Sequence, residues 1–441
     1  MTTSETICAL ATPIGNASVG IIRISGTNAH SIASQITHKK LLPRYAHFSS
    51  FYDDNDAIID QGITLYFPAP HSFTGEDVVE LQPHGNPFIC EHIIRRLIKL
   101  GARLALPGEF SERAFLNGKL DLTQLEGIAD LIASGSEQAA KSAVLSMRGK
   151  FSEHVNEILL QLIQLRTHIE ASLDFSEEDI ETETRAAVKI KLQHLNDSLD
   201  NIFELAQQGV KLQQGITIVL TGSTNVGKSS LFNALCADDR AIVTNIPGTT
   251  RDVLSADVSL CGVTVRLLDT AGIREHAEQI EQEGIARAHS AVQDADLVIH
   301  VVDCQDENIG SLKDQDNSQH LVVINKIDLI NDKSKITHSG LPVSAKTGEG
   351  VDMLRDEIMD RINVLPADKE PPFSARNRHI DALSKSRDHI AKGLEHINNQ
   401  APLELAAEEL RLAQQQLSEI TGEFTPDDLL DYVFREFCIG K

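Results

Sequence analysis

The 441-residue chain has no tryptophan and only six cysteines, Cys8, Cys90, Cys236, Cys261, Cys304 and Cys438. No two of them form a C-x-x-C pair, so the sequence offers neither a zinc site nor a disulfide framework. Reduced thiols in a cytoplasmic protein are the expectation. No apolar run approaches the roughly 20 residues of a membrane span, and no basic flank leads into an apolar core as in a signal peptide. No membrane contact is therefore expected. Internal repeats and low-complexity tracts are missing as well. Cations are scarce: 40 Lys and Arg face 64 Asp and Glu, a net charge of −24. That balance is unsuited to blanket binding of nucleic acid. The excess lies after residue 120, so any RNA contact needs local basic patches or a partner. A chain of this length can bury two to four domain cores.

What is present begins with Gly222-Ser223-Thr224-Asn225-Val226-Gly227-Lys228-Ser229. This is the G-x-x-x-x-G-K-[ST] phosphate loop, set between the apolar run Ile216–Leu220 and a helix-compatible stretch from Ser230. Backbone N–H groups and the helix N-terminus favour phosphate there. Lys228 is expected on the outer phosphates and the Ser229 hydroxyl on Mg²⁺. Asn325-Lys326-Ile327-Asp328 follows the strand-like run Leu321–Ile324. The Asp328 carboxylate suits guanine, whose N1–H and 2-amino group both donate. Asp269-Thr270-Ala271-Gly272 follows Val263–Leu268, where Asp269 would hold Mg²⁺ through water and Gly272 would approach the γ-phosphate. Ser344-Ala345-Lys346 would back the base with main-chain N–H groups. Four such segments in this order predict a guanine-nucleotide domain.

The hydrolytic logic has a gap. The position after D-x-x-G, where a Gln orients water in Ras-like enzymes, is Ile273. The acidic stretch from Glu275 through Glu281 to Glu283 offers carboxylates that could do it instead. Thr244-Asn245-Ile246-Pro247-Gly248-Thr249-Thr250-Arg251-Asp252 reads as the first switch, with Thr250 ligating Mg²⁺ when the γ-phosphate is present. Arg251 and Arg274 are candidate fingers. Alternatively the Asn225 side-chain carbonyl could help hold a monovalent cation in the finger's place.

Residues 1–119 mix strand-like runs (Val19–Ile24, Ile63–Phe67) with turns and a helix over Ile89–Leu100. Residues 120–212 read as helical. Residues 213–366 alternate strands and helices, the doubly wound α/β pattern. From Ala375 the chain is helical again, with Leu403, Leu410, Leu417 and Ala406, Ala413, Ile420 recurring every seven residues. The expected fold class is α/β and α multidomain: a Ras-like G domain (213–366) inserted in a helical domain (120–212 plus 367–441), preceded by an α+β domain (1–119).

Several blocks resemble one family. They are Thr6–Pro13, Gly20–Gly26, Ser72–Asp77, Glu80–Gly85, Pro107–Asn117, Lys119–Leu122, Pro247–Asp252, Glu408–Ala413, Gly422–Thr425 and the tail Phe437-Cys438-Ile439-Gly440-Lys441. Together they are similar to the MnmE (TrmE) family of tRNA uridine-modification GTPases across nearly the whole chain. The resemblance implies an N-terminal folate-binding domain that forms a homodimer and takes a 5-formyl- or methylene-tetrahydrofolate-like ligand. It carries folate contacts onto Arg23, Glu80, Lys119 and Lys441. It carries a K⁺ loop onto Asn225, Thr244, Ile246 and Thr249, and the water-positioning acid onto Glu281, which acts with Lys228. The implied GTP contacts take in Val226, Gly227, Ser230, Asn245, Pro247, Gly248, Thr270 and Ala271 beside the motif residues above. It implies a FAD-dependent MnmG-type partner in a heterotetramer, and modification of the wobble uridine of certain tRNAs. Nothing in the chain supplies a flavin or nicotinamide site, and the redox step needs one, so a partner also follows from the chemistry. Cys438 is left open between a packed or folate-proximal thiol and a reactive one. The loop Ile14–Val19 is bulkier than the family's and lacks its charge. A ribosome-assembly GTPase, the alternative, would share the nucleotide motifs but call for a basic RNA-binding module such as a KH-like segment; none is present.

Overall fold

The computed structural model describes residues 5–174, 178–236, 254–260, 262–269, 295–306, 319–330, 340–362 and 371–422. By compactness the chain divides into two units, Met1–Leu125 with Ser418–Lys441, and Glu126–Leu417.

The first unit is built on a mixed sheet. Its elements in chain order are β1 (Ile7–Leu10), β2 (Ile22–Ser25), α1 (Ala29–Thr37), β3 (His47–Tyr52), β4 (Ile58–Phe67), β5 (Val78–Gln82), α2 (Pro87–Lys99), β6 (Arg103–Leu104) and α3 (Glu109–Leu116). The strand order is β3-β4-β5-β2-β1-β6. All pairings are antiparallel except β1 with β6. Strand alternation sends Ile22 and Ile24 into a core with Ile32, Ile36, Ile93 and Leu97 from α1 and α2, while Arg23 points to the opposite face. Helix α2 starts where the sequence demands: the Asn86 carboxamide accepts from the Phe88 and Ile89 N–H groups and Pro87 occupies the first turn. Such a cap stabilises a helix by about 1 kcal/mol. The strand expected over Val19–Ile24 is shorter and later, Ile22–Ser25. Ahead of it the chain makes an isolated bridge, Ala17 to Gly85, the Gly20 N–H donates to the Pro83 carbonyl, and the Ile21 N–H donates to Thr12 Oγ1 instead of a ladder carbonyl.

The helices that follow are α4 (Leu122–Ala133), α5 (Glu137–Met147), α6 (Lys150–Asp174) and α7 (Glu178–Gln214). A second sheet comes next: β7 (Ile216–Thr221), α8 (Lys228–Cys236), β8 (Leu254–Leu260), β9 (Val263–Asp269), β10 (Leu297–Asp303), β11 (His320–Asn325), β12 (Leu341–Pro342) and α9 (Val351–Arg361). Helices α10 (Asn377–Asn398) and α11 (Leu403–Thr421) end the described chain. The fold is an α/β and α multidomain one, as expected. The sheet order is β12-β11-β10-β7-β9-β8, parallel except for the β8–β9 hairpin. Ile218, Val219 and Leu220 are consecutive and all fully buried, which requires cover on both faces of the strand. The heptad stripe of α11 is buried along its length, from Leu403 to Ile420.

Where the chain returns from the second sheet, residues 371–376 are clamped against the helices. The hydroxyls of Ser142 and Ser146 donate to the carbonyls of Pro372 and Ser374. Arg378 grips the buried Glu126 carboxylate with two hydrogen bonds of 2.8 and 2.7 Å, and His379 Nε2 lies 3.0 Å from the same group. Burial opposes ionisation of Glu126, but the Arg378 and His379 side chains outweigh it and hold its carboxyl far below the usual range. Burial, with Arg378 beside it, brings His379 down to about 4. Nearby, Lys211 Nζ near the end of α7 donates to the Ile362 carbonyl just past α9, at 3.0 Å.

Candidate nucleotide site

Strand β7 has β10 on one side and β9 on the other, so the chain crosses from one side of the sheet to the other around it. A crevice forms beyond the carboxyl end of a strand at such a reversal, and doubly wound sheets bind ligands there. The phosphate loop leaves β7 at this point. Gly222 has φ +135°, and a Cβ there would lie 2.2 Å from the Val301 carbonyl oxygen. Asn225 adopts a left-handed φ of 66°, the turn that brings the loop back to α8. Lys228 is 6% exposed, and its ammonium donates to the carbonyls of Gly222 (3.0 Å) and Ser223 (2.8 Å). The lysine thus spans the loop it belongs to, holding its charge where phosphate oxygens would arrive. Ser229 and Ser230 are exposed in the first turn of α8. Asp269 closes β9 and pairs across the ladder with Leu220, so the end of this strand stands beside the start of the phosphate loop.

The other two segments are fastened to that loop. Asn325 is 1% exposed; its Nδ2 donates to the Val226 carbonyl at 2.9 Å and its Oδ1 accepts from the Ala345 N–H at 3.0 Å. One carboxamide therefore ties together the phosphate loop, the end of β11 and the loop after β12. A Cβ at Gly227 would sit 2.3 Å from that Nδ2, so only glycine lets the staple close. Lys326, itself left-handed at φ 67°, donates to the Asn225 carbonyl (2.6 Å) and to Asp303 Oδ2 (2.7 Å). Partial burial works against the charged form of Asp303, yet the Lys326 ammonium and the Gln305 N–H keep its carboxyl below the ordinary carboxylate range. Ser344 Oγ donates to Asp328 Oδ1 at 2.7 Å, which aims the carboxylate. These groups surround a cavity of about 660 Å³, lined by Gly227, Ser230, Asn233, Lys326, Asp328 and Lys346 among others. That volume lies within the range of small-molecule sites.

Asn325 and Asp303 do work that the sequence did not announce. Asn325 belongs to the N-K-x-D segment, but in this fold it is a staple between loops. Asp303 ends the apolar run of β10, and a lone carboxylate at a strand end is the signal that could have found it. Thr244, Asn245, Ile246, Pro247, Gly248, Thr249, Thr250, Arg251, Thr270, Ala271, Gly272, Ile273, Arg274, Glu281, Cys438 and Lys441 lie outside the described residues.

In the first unit, Arg23 and Glu80 are cross-strand partners on β2 and β5. Arg23 Nε and Nη2 donate to Glu80 Oε1 at 3.1 and 2.9 Å, and the guanidinium lies over the Phe73 ring at 5.4 Å. The two residues thus form one compensated unit, not two free charges. Lys119 Nζ donates to the Pro70 carbonyl at 3.0 Å. Residues 72–77 and 107–117 also meet: Arg113 bonds Glu76 (2.9 Å), and Asn117 Nδ2 donates to the Thr74 carbonyl (2.7 Å).

The donor set suits the expected groups. Ser229 supplies an exposed hydroxyl in the first turn of α8, the oxygen chemistry that Mg²⁺ takes. Asn225 is exposed at the top of the loop, and a carboxamide oxygen is a fitting ligand for K⁺. Among the described residues, no group of three or more His, Cys, Asp and Glu side chains could hold a transition metal.

A phosphate loop at the reversal of a doubly wound sheet, stapled to an N-K-x-D and an S-A-K loop around one cavity, defines a GTPase of the P-loop class. Comparison with known proteins narrows this. Residues 122–438 match the family described as the MnmE helical domain, and residues 6–119 match the N-terminus of the GTP-binding protein TrmE. The tRNA modification GTPase MnmE of Methylococcus capsulatus is 47% identical over 99% of both chains. That of Saccharophagus degradans is 46% identical over all of this chain and 99% of its own. Among solved structures, the G domain of the T. maritima FeoB iron transporter is 28% identical over 33% of this chain and 98% of its own, with a TM-score of 0.25, a likeness that adds nothing to the fold described above. The chain belongs to the MnmE family of tRNA modification GTPases.

Proposed function

We propose that this GTPase couples GTP hydrolysis to installation of a 5-carboxymethylaminomethyl-type group on the wobble uridine of certain tRNAs, with a tetrahydrofolate derivative as one-carbon donor. The observation that carries the reading is the cavity closed by Asn325, in a chain that matches the tRNA modification GTPases over its whole length. In this scheme Asp328, aimed by Ser344, accepts from the guanine N1–H and 2-amino groups. Lys326 and the Ala345 N–H frame the base. Lys228 gives up its contacts with the Gly222 and Ser223 carbonyls and turns to the β- and γ-phosphates. Ser229 and Thr250 hold Mg²⁺, which when bound neutralises phosphate charge. Asn225, Thr244, Ile246 and Thr249 hold K⁺, which supplies positive charge in place of an arginine finger. Glu281 orients the attacking water.

Arg23, Glu80, Lys119 and Lys441 receive the folate. A guanidinium and an ammonium suit its carboxylates, and a carboxylate suits the amino and ring N–H groups of the pterin. The Arg23–Glu80 pair must then open, or be bridged as one unit, when the ligand arrives. The functional division is 1–119 for folate and homodimerisation, 213–366 for GTP, and 120–212 with 367–441 as the helical scaffold. The redox step falls to a FAD-dependent partner in a heterotetramer, in the cytoplasm. Nucleoside analysis of tRNA from cells lacking the protein tests the reading. Loss of the modified uridine, restored by the parent chain and not by Lys228→Ala, is the expected result; a full complement of modified uridine without the protein would overturn it.

A further inference from the structure

In a chain of net charge −24, no aspartate or glutamate occurs between Glu5 and Asp53. The same interval holds Arg23, Lys39, Lys40 and Arg44. Apart from Arg23, which faces Glu80, these cations sit on the connection between α1 and β3, and all of them are exposed. Their recorded partners are neutral: Lys39 Nζ donates to the Phe48 carbonyl and Arg44 to the His71 carbonyl. Of the carboxylates that follow, Asp53 accepts from the Asn55 and Ala57 N–H groups and Asp54 pairs with Arg96 and Lys99, while Asp56 pairs with His38 at the start of this connection.

Two aromatic rings share this surface. Tyr45 is 59% exposed and Phe48 is 65% exposed. Tyr45 lies on the connection and Phe48 at the start of β3, and the segment that carries them is a built one. The Leu42 N–H donates to His47 Nε2 at 2.8 Å, and the Arg44 N–H donates to the Tyr66 carbonyl at 2.8 Å. The Tyr45 ring meets the His47 ring edge-on at 4.8 Å. Rings held in place by a fixed backbone, open on one face and flanked by uncompensated cations, are the elements that bind single-stranded nucleic acid: cations neutralise phosphates and rings stack on unpaired bases. An acidic protein segment would use the cations and leave the rings idle. A lipid surface would call for a long amphipathic helix, which this connection is not.

We propose that the α1–β3 connection and the start of β3 form an RNA-contact surface, with Lys39 and Lys40 on phosphates and Tyr45 and Phe48 on unstacked bases of a tRNA loop. The proposal rests on the tRNA reading above and assigns it a place in the first unit. Filter binding of full-length protein to unmodified tRNA at about 50 and about 200 mM salt tests it, with GTP turnover measured in parallel. Lys40→Glu should weaken tRNA binding about tenfold at the lower salt and flatten the salt dependence by about one charge. Tyr45→Ala should weaken it about tenfold, with Tyr45→Phe at parental affinity. GTP turnover should stay parental in all three. Lys40→Glu and Tyr45→Ala variants that both bind tRNA within twofold of the parent would overturn the surface. So would losses seen with heparin but not with tRNA, which would assign it to another polyanion. A parent that retains no tRNA at the lower salt would instead overturn the tRNA reading itself.

Discussion

The two sheets gather distant residues in different ways. In the second sheet the described segments around the cavity leave the carboxyl ends of parallel strands: 222–229 after β7, 325–328 after β11 and 344–346 after β12. Parallel strands end on one edge, so these loops meet whatever the separation between them in sequence. In the first sheet the gathering is across the strands. Arg23 and Glu80 meet because antiparallel register sets them opposite one another, in the middle of the sheet and on one face. An edge site hangs from loops whose conformation the sheet does not dictate, and it needs staples such as Asn325. A face site is part of the sheet's own ladder. Changes at the edge should therefore alter GTP turnover more than stability, and changes on the face the reverse.

The sharpest break should come from Lys228→Ala. It should lower GTP hydrolysis by about 10³-fold or more, read as phosphate release, with little change in the urea midpoint. Asn325→Ala should weaken nucleotide binding by about 10²-fold in a fluorescent GDP titration, because its loss frees the Val226 and Ala345 backbone groups together. It should also blur the contrast by lowering stability about 2 kcal/mol, since those groups are left buried and unpaired. On the face, Glu80→Gln should cost about 1 kcal/mol in urea unfolding and leave GTP turnover parental; a turnover loss as large as that of Asn325→Ala would erase the distinction. The smallest effect is acidic. Burial works against ionisation of Glu109, but Arg103, the Leu106 N–H and Arg113 hold its carboxyl below its ordinary value of 4.5. A depressed value means the unfolded chain binds the proton more readily. The stability it contributes is complete above the ordinary value and is lost as pH falls through the depressed one. Glu109→Gln should flatten the acid limb of a stability–pH curve below about 4.5 and shift the neutral limb uniformly.

The same contrast explains what could be read in advance. The strands β7 and β11 are consecutive apolar runs, and the phosphate loop and the N-K-x-D segment are short motifs directly after them, so edge architecture is visible as order along the chain. The stripe from Leu403 to Ile420 was legible for a similar reason, since a helix face has a fixed period. Register across an antiparallel sheet has no such signature: nothing in the spacing of Arg23 and Glu80 says that they touch, and only family resemblance put them together. Strand boundaries failed where side-chain bonds replaced the ladder, as at Ile21 and Thr12. Asn325 was expected near the base, and its deeper task as a staple depends on Gly227 leaving room for it. The carboxylate-free interval before Asp53 was in plain view, but only the fold shows that Lys39, Lys40, Arg44, Tyr45 and Phe48 are exposed between the end of α1 and the start of β3.

Lys211 reaches the Ile362 carbonyl, so the polypeptide leaves the helical scaffold and comes back to it at nearly the same spot. A stretch whose two ends lie side by side behaves as a cassette. It can be snipped out and bridged by a short peptide, or exchanged for a foreign nucleotide switch, without stretching the scaffold around it.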